Sequence, residues 1–357
     1  MVKEMPRHVN AVQDGVRGAD GIHALGGRII KRATASAKRL VRSGVKFGRN
    51  PVAGINVAVY ANWDVGTAIK YLTPGGAGNW GPLRFQEGKQ VTRPDFVLIL
   101  NSPSQDDLTV RLPPERIWFA AGEPPEFKAY HLGQGHGTVV VTCDPSVAAN
   151  PAVGREYILE PPVLRTWHVQ KSIDELAKIH FVKKTKILSW VTSAKDRLPG
   201  HQLRLFFLRT IWGKLPLDLY GRSFTPLNDK WHGIAPYRYS IAFENARSSH
   251  YFSEKIMDCF VCLTLPLYYG SRDIQKYLPA KSFIAIEPSD PHTVDRIRKI
   301  IAADLWKERE DALQEAKWLV LYKYNMFSQL SRLMLERLRP VSAAQTLQIK
   351  RVVCDYG

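Results

Sequence analysis

Short apolar runs alternate with polar, turn-rich loops along this chain, and the clearest alternation lies in its second half. Tyr237–Phe243 is rich in aromatic and β-branched residues and predicts a buried strand. Residues 244–250 are polar and turn-like. Ser253 is a candidate N-cap, and after it Ile256, Met257, Phe260, Val261 and Leu263 recur at helical spacing. Residues 263–269 read as a second strand, closed by Gly270. Two strands joined by a helix imply a parallel pair with a right-handed crossover. The same reading predicts strands at 55–61, 95–100, 116–120, 139–142, 186–191, 218–220 and 282–286. It predicts helices at 173–179, from 200 to 210, at 273–277 and 295–302, then from 306 to 321 and on through 322–338. Several strands run into polar loops: Asn62-Trp63-Asp64, Asn101-Ser102-Pro103, Gly122-Glu123-Pro124-Pro125 and Thr192-Ser193. That pattern suits open α/β sheets with a site at the strand ends.

Length, charge and cysteine content narrow the picture. A chain of 357 residues has room for two domains and a sizeable core. Its 45% hydrophobic and 23% charged content is that of a globular protein. No apolar run reaches membrane-spanning length, and the first ten residues lack the apolar centre of a secretory signal. A cytoplasmic location is expected. Four cysteines without dense spacing argue against a disulfide scaffold. Cys259 and Cys262 fall on an apolar helix, and Cys143 and Cys354 do not complete a zinc pattern, so no metal site is assigned.

The net charge of +17 points to anionic partners. Residues 1–50 hold eleven Lys or Arg against three acids, a net of +8. Residues 28–46 suit a basic helix with Ile29, Ile30, Ala33, Ala37, Leu40 and Val41 on one side. Two readings stand: a peripheral contact with an anionic inner membrane face, or a basic extension without fixed structure. Nucleic acid is not expected as a partner, because the remaining charge is spread and no nucleic-acid motif appears. The glycine-rich stretch 73–78 lacks the Gly-Lys-Ser/Thr of a phosphate loop, and Gly133, Gly135 and Gly137 precede a strand instead of following one. Both are read as plain loops.

The chemistry gathers where the central strand meets its helix. Glu244, Asn245, Tyr251, Ser253, Glu254 and Lys255 crowd this join. A helix N-terminus offers free N–H groups and partial positive charge to a phosphate. Lys255 adds a full charge, Glu254 suits a ribose diol, and Asn245 both donates and accepts. The plainer alternative is a capped helix with a surface Glu–Lys pair.

These residues resemble the signature of glycosyltransferase family 10, the fucosyltransferases. The matching stretches are Phe243-Glu244-Asn245, Tyr251-Phe252-Ser253-Glu254-Lys255-Ile256 and Pro266-Leu267-Tyr268-Tyr269-Gly270-Ser271. Their wording looks closest to bacterial members. The resemblance spans roughly residues 57–283 and is denser in the second half. It implies an α/β, GT-B-like fold with two Rossmann-like domains facing a cleft. The expected division is a basic extension 1–53, an acceptor-side domain 54–165, a GDP-sugar domain 166–340 and a tail 341–357.

By that resemblance the activity is an inverting transfer of L-fucose from GDP-L-fucose to a glycan hydroxyl, on a bacterial surface polysaccharide. Glu123 would be the general base, since a sugar hydroxyl is a poor nucleophile until a carboxylate takes its proton. Arg204, Asn245, Tyr251, Ser253, Glu254 and Lys255 would bind the donor. Ser193, Arg238 and Glu244 would line the same cleft, and Asn62, Trp63 and Asp95 would shape the acceptor side. No Asp-x-Asp occurs in the chain. The leaving charge would therefore fall to Lys255, Arg204 and the helix N-terminus, with no metal cofactor. The alternatives are another GDP-linked sugar on the same fold, or a basic nucleic-acid- or membrane-binding protein without transferase activity.

Overall fold

The computed structural model describes residues 54–103, 106–152, 154–164, 166–338 and 340–352. The basic extension and its expected helix at 28–46 lie outside the described residues. The remainder forms two parallel α/β halves.

The first half contributes β1 (Ile55–Ala61), β2 (Asn79–Trp80), β3 (Leu83–Glu87), β4 (Phe96–Leu100), β5 (Leu108–Leu112), β6 (Ile117–Ala120), β7 (Val139–Thr142) and β8 (Glu156–Leu159). All but β5 join one sheet in the order β2-β3-β1-β4-β6-β7-β8, parallel except for the β2–β3 pair. In β4, β6 and β7 every residue is buried, as expected of parallel strands covered on both faces. The helix α1 (Val65–Leu72) follows β1 and is capped by Asp64, whose side chain accepts from Thr67 N.

The second half contributes β9 (Lys186–Val191), β10 (Leu217–Tyr220), β11 (Tyr237–Phe243), β12 (Leu265–Tyr269) and β13 (Ile284–Ala285), all parallel in the order β10-β9-β11-β12-β13. The helix α2 (Pro199–Ile211) joins β9 to β10, and α3 (Glu254–Val261) joins β11 to β12. Three further helices follow: α4 (Thr293–Ala302), α5 (Glu310–Tyr322) and α6 (Met326–Glu336).

Four differences from the sequence reading have local causes. The strand expected from 263 starts at Leu265, because Leu263 turns the chain with φ 53°. The strand at 282–286 shrinks to two residues, since residues 280–282 close a 3₁₀ turn. The helix expected through 322–338 breaks at Asn325. Its Oδ1 caps a new helix by accepting from Phe327 N and Ser328 N. Its Nδ2 donates to the Leu72 carbonyl at 2.8 Å, back in the first half. The stretch beyond 340, for which the sequence predicts no element, holds β14 (Gln345–Ile349), which pairs antiparallel with β5.

Candidate active site

In open α/β sheets, ligands sit outside the carboxyl ends of strands where the strand order reverses. The second sheet reverses at β9, which has β10 on one side and β11 on the other. Ser193 follows β9, and Glu244 and Asn245 follow β11, so this point is framed by expected donor residues.

Arg204 bridges it. The side chain lies on α2 and is 4% exposed. Nη1 donates to Asn245 Oδ1 at 2.7 Å. Nη2 donates to the Ser193 carbonyl and Oγ, both at 3.2 Å, and to the Lys195 carbonyl at 2.9 Å. Burial lowers its pKa from the ordinary value. The guanidinium thus staples the β9 and β11 loops together and is largely spent on them. The amino end of α2 comes close to the β11 loop, and a Cβ on Gly200 would stand 1.7 Å from the Asn245 carbonyl oxygen. Only glycine fits that approach.

The amino end of α3 carries a second cluster. Glu244 has no exposed surface, and its carboxylate accepts from Ser253 N (2.8 Å) and Ser253 Oγ. Lys255 Nζ donates to Glu244 Oε2 at 3.1 Å, to Ser253 Oγ at 3.0 Å and to Glu254 Oε1 at 3.4 Å. The protein's own carboxylate therefore occupies the anion position at this helix end. Ser253 is wholly buried as the cap, and Tyr251 is nearly so. The expectation that Ser253 and Glu244 face the donor gives way to a supporting role, because neither has surface to offer. Lys255 and Glu254 remain partly exposed, with side chains 24% and 13% exposed.

Glu123 follows β6 in the first sheet. Asn101, after β4, accepts from Gly122 N at 2.8 Å through Oδ1 and donates from Nδ2 to Glu123 Oε1 at 3.4 Å. Behind the turn, His131 Nε2 stands 3.1 Å from the Glu123 carbonyl and 3.2 Å from that of Pro124. Its Nδ1 meets Thr142 Oγ1 at 2.7 Å. The two carbonyls can only accept, so Nε2 carries the hydrogen and donates to them, and in the neutral ring Nδ1 accepts from the Thr142 hydroxyl. Burial depresses the His131 pKa, consistent with a neutral ring.

The two sets of loops meet directly. Ser248, in the loop after β11, donates to Glu126 Oε1 at 3.1 Å, in the loop after β6. Asn62 and Trp63 follow β1 and are exposed at the same carboxyl edge as Asn101 and Glu123. Asp95 and Arg238 are not brought to the site. Asp95 precedes β4, where it accepts from Asn56 N at the amino edge of the sheet. Arg238 opens β11 at the corresponding edge of the second sheet and pairs with Asp304 at 3.4 Å. A residue before a strand lies one strand length from a residue after it.

Sequence reasoning passed over Asn101, His131 and Asp258. The last is an acid on an otherwise apolar helix face. It is buried, pairs with Lys230 at 2.9 Å and accepts from His168 N at 2.5 Å, tying the interdomain segment to α3. That lone charge among Ile256, Met257, Cys259 and Phe260 was the available signal.

Residues 181–331 match the family model described as Glycosyltransferase family 10 (fucosyltransferase) C-term. The Bos taurus 3-galactosyl-N-acetylglucosaminide 4-alpha-L-fucosyltransferase FUT3 is 28% identical over 109 residues, 29% of each chain. The Helicobacter pylori alpha-(1,3)-fucosyltransferase FucT is 34% identical over 53 residues, 15% of this chain and 11% of that one. This chain spans less than a third of the length of either. A crystal structure of alpha1,3-fucosyltransferase with GDP-fucose is similar with a TM-score of 0.44 and 15% identity, covering 74% of this chain and 84% of that one.

Proposed function

Residues 181–331 belong to glycosyltransferase family 10, and from that premise we propose that the chain transfers L-fucose from GDP-L-fucose to a glycan hydroxyl with inversion. The donor's diphosphate binds at the β9–β11 reversal, beside Lys255. Glu254 accepts from the ribose diol. Arg204 acts through its charge and through the Ser193 and Asn245 loops that it holds. Glu123 takes the proton of the acceptor hydroxyl as its oxygen attacks C1 of the sugar. The C1–O bond to the diphosphate breaks, and GDP leaves with the electron pair. The acceptor is a bacterial surface polysaccharide, reached from the cytoplasmic side of the membrane, with residues 1–50 contacting anionic lipid. Charge neutralisation by side chains, and the lack of any Asp-x-Asp in the sequence, support transfer without a metal cofactor.

The observation that carries this reading is the Arg204 staple across the strand-order reversal, with a partly exposed ammonium, Lys255, on the adjoining helix. The test is calorimetric titration with GDP and GDP-L-fucose in EDTA, on the wild type, Lys255→Ala and Glu254→Gln, with melting curves to verify folding. Metal-free binding by the wild type, weakened about tenfold or more in both folded variants, is the expected result (about 1.4 kcal/mol). Absence of binding by a well-folded wild type sinks the donor assignment.

A further inference from the structure

We propose that Asn101 is the positioning residue for Glu123, and that it sets the direction in which this carboxylate receives a proton. The inference rests on the reading of Glu123 as the general base. One side-chain amide engages two consecutive residues. Oδ1 accepts from Gly122 N at 2.8 Å, and this fixes the amide's orientation, because only the oxygen can accept from an N–H. Nδ2 must then point at the carboxylate, and it donates to Glu123 Oε1 at 3.4 Å. The backbone of the turn and the side chain that projects from it are held by the same group.

Asn101 is itself held. Its N–H donates to the Ala120 carbonyl at 2.9 Å, and Ser102 N donates to the Leu100 carbonyl at 2.7 Å. The tight turn this makes gives Asn101 a φ of 60°, a conformation that Asn tolerates better than most residues. Ser102 is buried, and its Oγ accepts from Val352 N at 2.9 Å. That strap comes from the far end of the chain, directly after β14. His131 in turn holds the carbonyls of Glu123 and Pro124. Asn101 and His131 thus both hold the Gly122–Pro124 turn, and Asn101 also reaches the carboxylate. A base displaced by about 1 Å from its reacting hydroxyl loses on the order of 10²-fold in rate.

The experiment measures GDP release from GDP-L-fucose with water as the acceptor, giving kcat and KM. GDP affinity by calorimetry and melting temperature accompany it. Asn101→Gly removes the amide and keeps the left-handed turn without strain. Asn101→Asp keeps the acceptor for Gly122 N and sets a carboxylate against Glu123. Glu123→Gln removes the base. The expected result is a fall in kcat of roughly 10²-fold for Asn101→Gly, with KM and GDP affinity within about twofold of the wild type. Asn101→Asp falls at least as far. The double variant Asn101→Gly/Glu123→Gln is no slower than Glu123→Gln alone, whereas a merely structural loss would add to it.

If both Asn101 variants keep wild-type kcat while Glu123→Gln loses it, the positioning role is overturned and the base stands. If Glu123→Gln keeps wild-type kcat, the base assignment falls and the role of Asn101 falls with it. A wild type that binds GDP yet releases none from GDP-L-fucose overturns both.

Discussion

Glu244 is the residue whose environment says most about how the site is built. It is wholly buried, and its carboxyl oxygens are surrounded by Ser253 N–H, Ser253 Oγ and the Lys255 ammonium. Removing the carboxylate leaves the buried Ser253 N–H and hydroxyl without this acceptor, at about 1–3 kcal/mol. Glu244→Ala is expected to lose about that much in urea denaturation, through a lower midpoint with unchanged slope. A loss below about 0.5 kcal/mol would show that water replaces the carboxylate and that Lys255 is not held by it.

His131 makes a second prediction at this scale. Burial holds its pKa below the ordinary 6.5. The unfolded chain then binds the extra proton more readily than the folded one. The contribution of His131 to stability is complete above pH 6.5 and is lost as pH falls below it. Lys128 and Asp144 also face the ring and oppose one another in effect, so the buried position dominates. Melting temperatures taken between pH 7.5 and 5.5 should fall more steeply for the wild type than for His131→Gln. Parallel curves would mean that the folded and unfolded chains bind the His131 proton equally well.

At the scale of elements, legibility followed burial. The β4 sequence Phe-Val-Leu-Ile-Leu and the β7 sequence Val-Val-Val-Thr are buried throughout, and an unbroken apolar run marks them in the sequence. β3, β5, β8 and β14 mix polar and apolar residues, and what makes them strands is a partner distant in the chain. The candidate site divides the same way. Glu123, Asn245 and Lys255 lie just past strands or at a helix start, where sequence reading looks. Asp95 and Arg238 resemble signature positions too, but strand direction puts them at the other edge. Asn101 and His131 carried no motif, because their importance comes from contacts across 22 and 8 residues.

The break at Asn325 belongs to this group. Nothing in the apolar spacing of 306–338 announces it. Asn325 caps α6 through Oδ1 and ties the α5–α6 corner to the end of α1 through Nδ2. Loss of a cap costs about 1 kcal/mol, and an unpaired buried carbonyl costs about 1–3 more. Asn325→Ala should therefore lose about 2–4 kcal/mol and speed amide exchange in both α1 and α6. Faster exchange in α6 alone would show that the link to Leu72 contributes nothing.

For the whole molecule, the return of α6 and β14 to the first half decides how the two halves behave. Phe327 is buried on α6, and its ring centroid lies 4.8 Å from that of Phe85 on β3. Leu330, Leu333 and Met334 join Leu72, Leu83 and Phe85 in an apolar cluster that also runs through Leu188, Phe207 and Phe260 of the second half. The ion pairs Arg332–Glu160 (2.7 Å) and Arg337–Glu156 (2.8 Å) accompany it, but exposed pairs add little. The shared apolar core is therefore the main tie between the sheets, supported by Asp258–His168 and Ser248–Glu126. Chemistry that needs Glu123 from one sheet and Lys255 from the other depends on this tie. Calorimetric melting of the full chain should show one transition for both halves. Phe327→Ala, at about 3–5 kcal/mol, should move that transition as a unit. Two transitions in the wild type, with only the first-sheet one displaced by Phe327→Ala, would mean that the halves fold independently. The geometry between base and donor would then have to be set by the substrates as they bind.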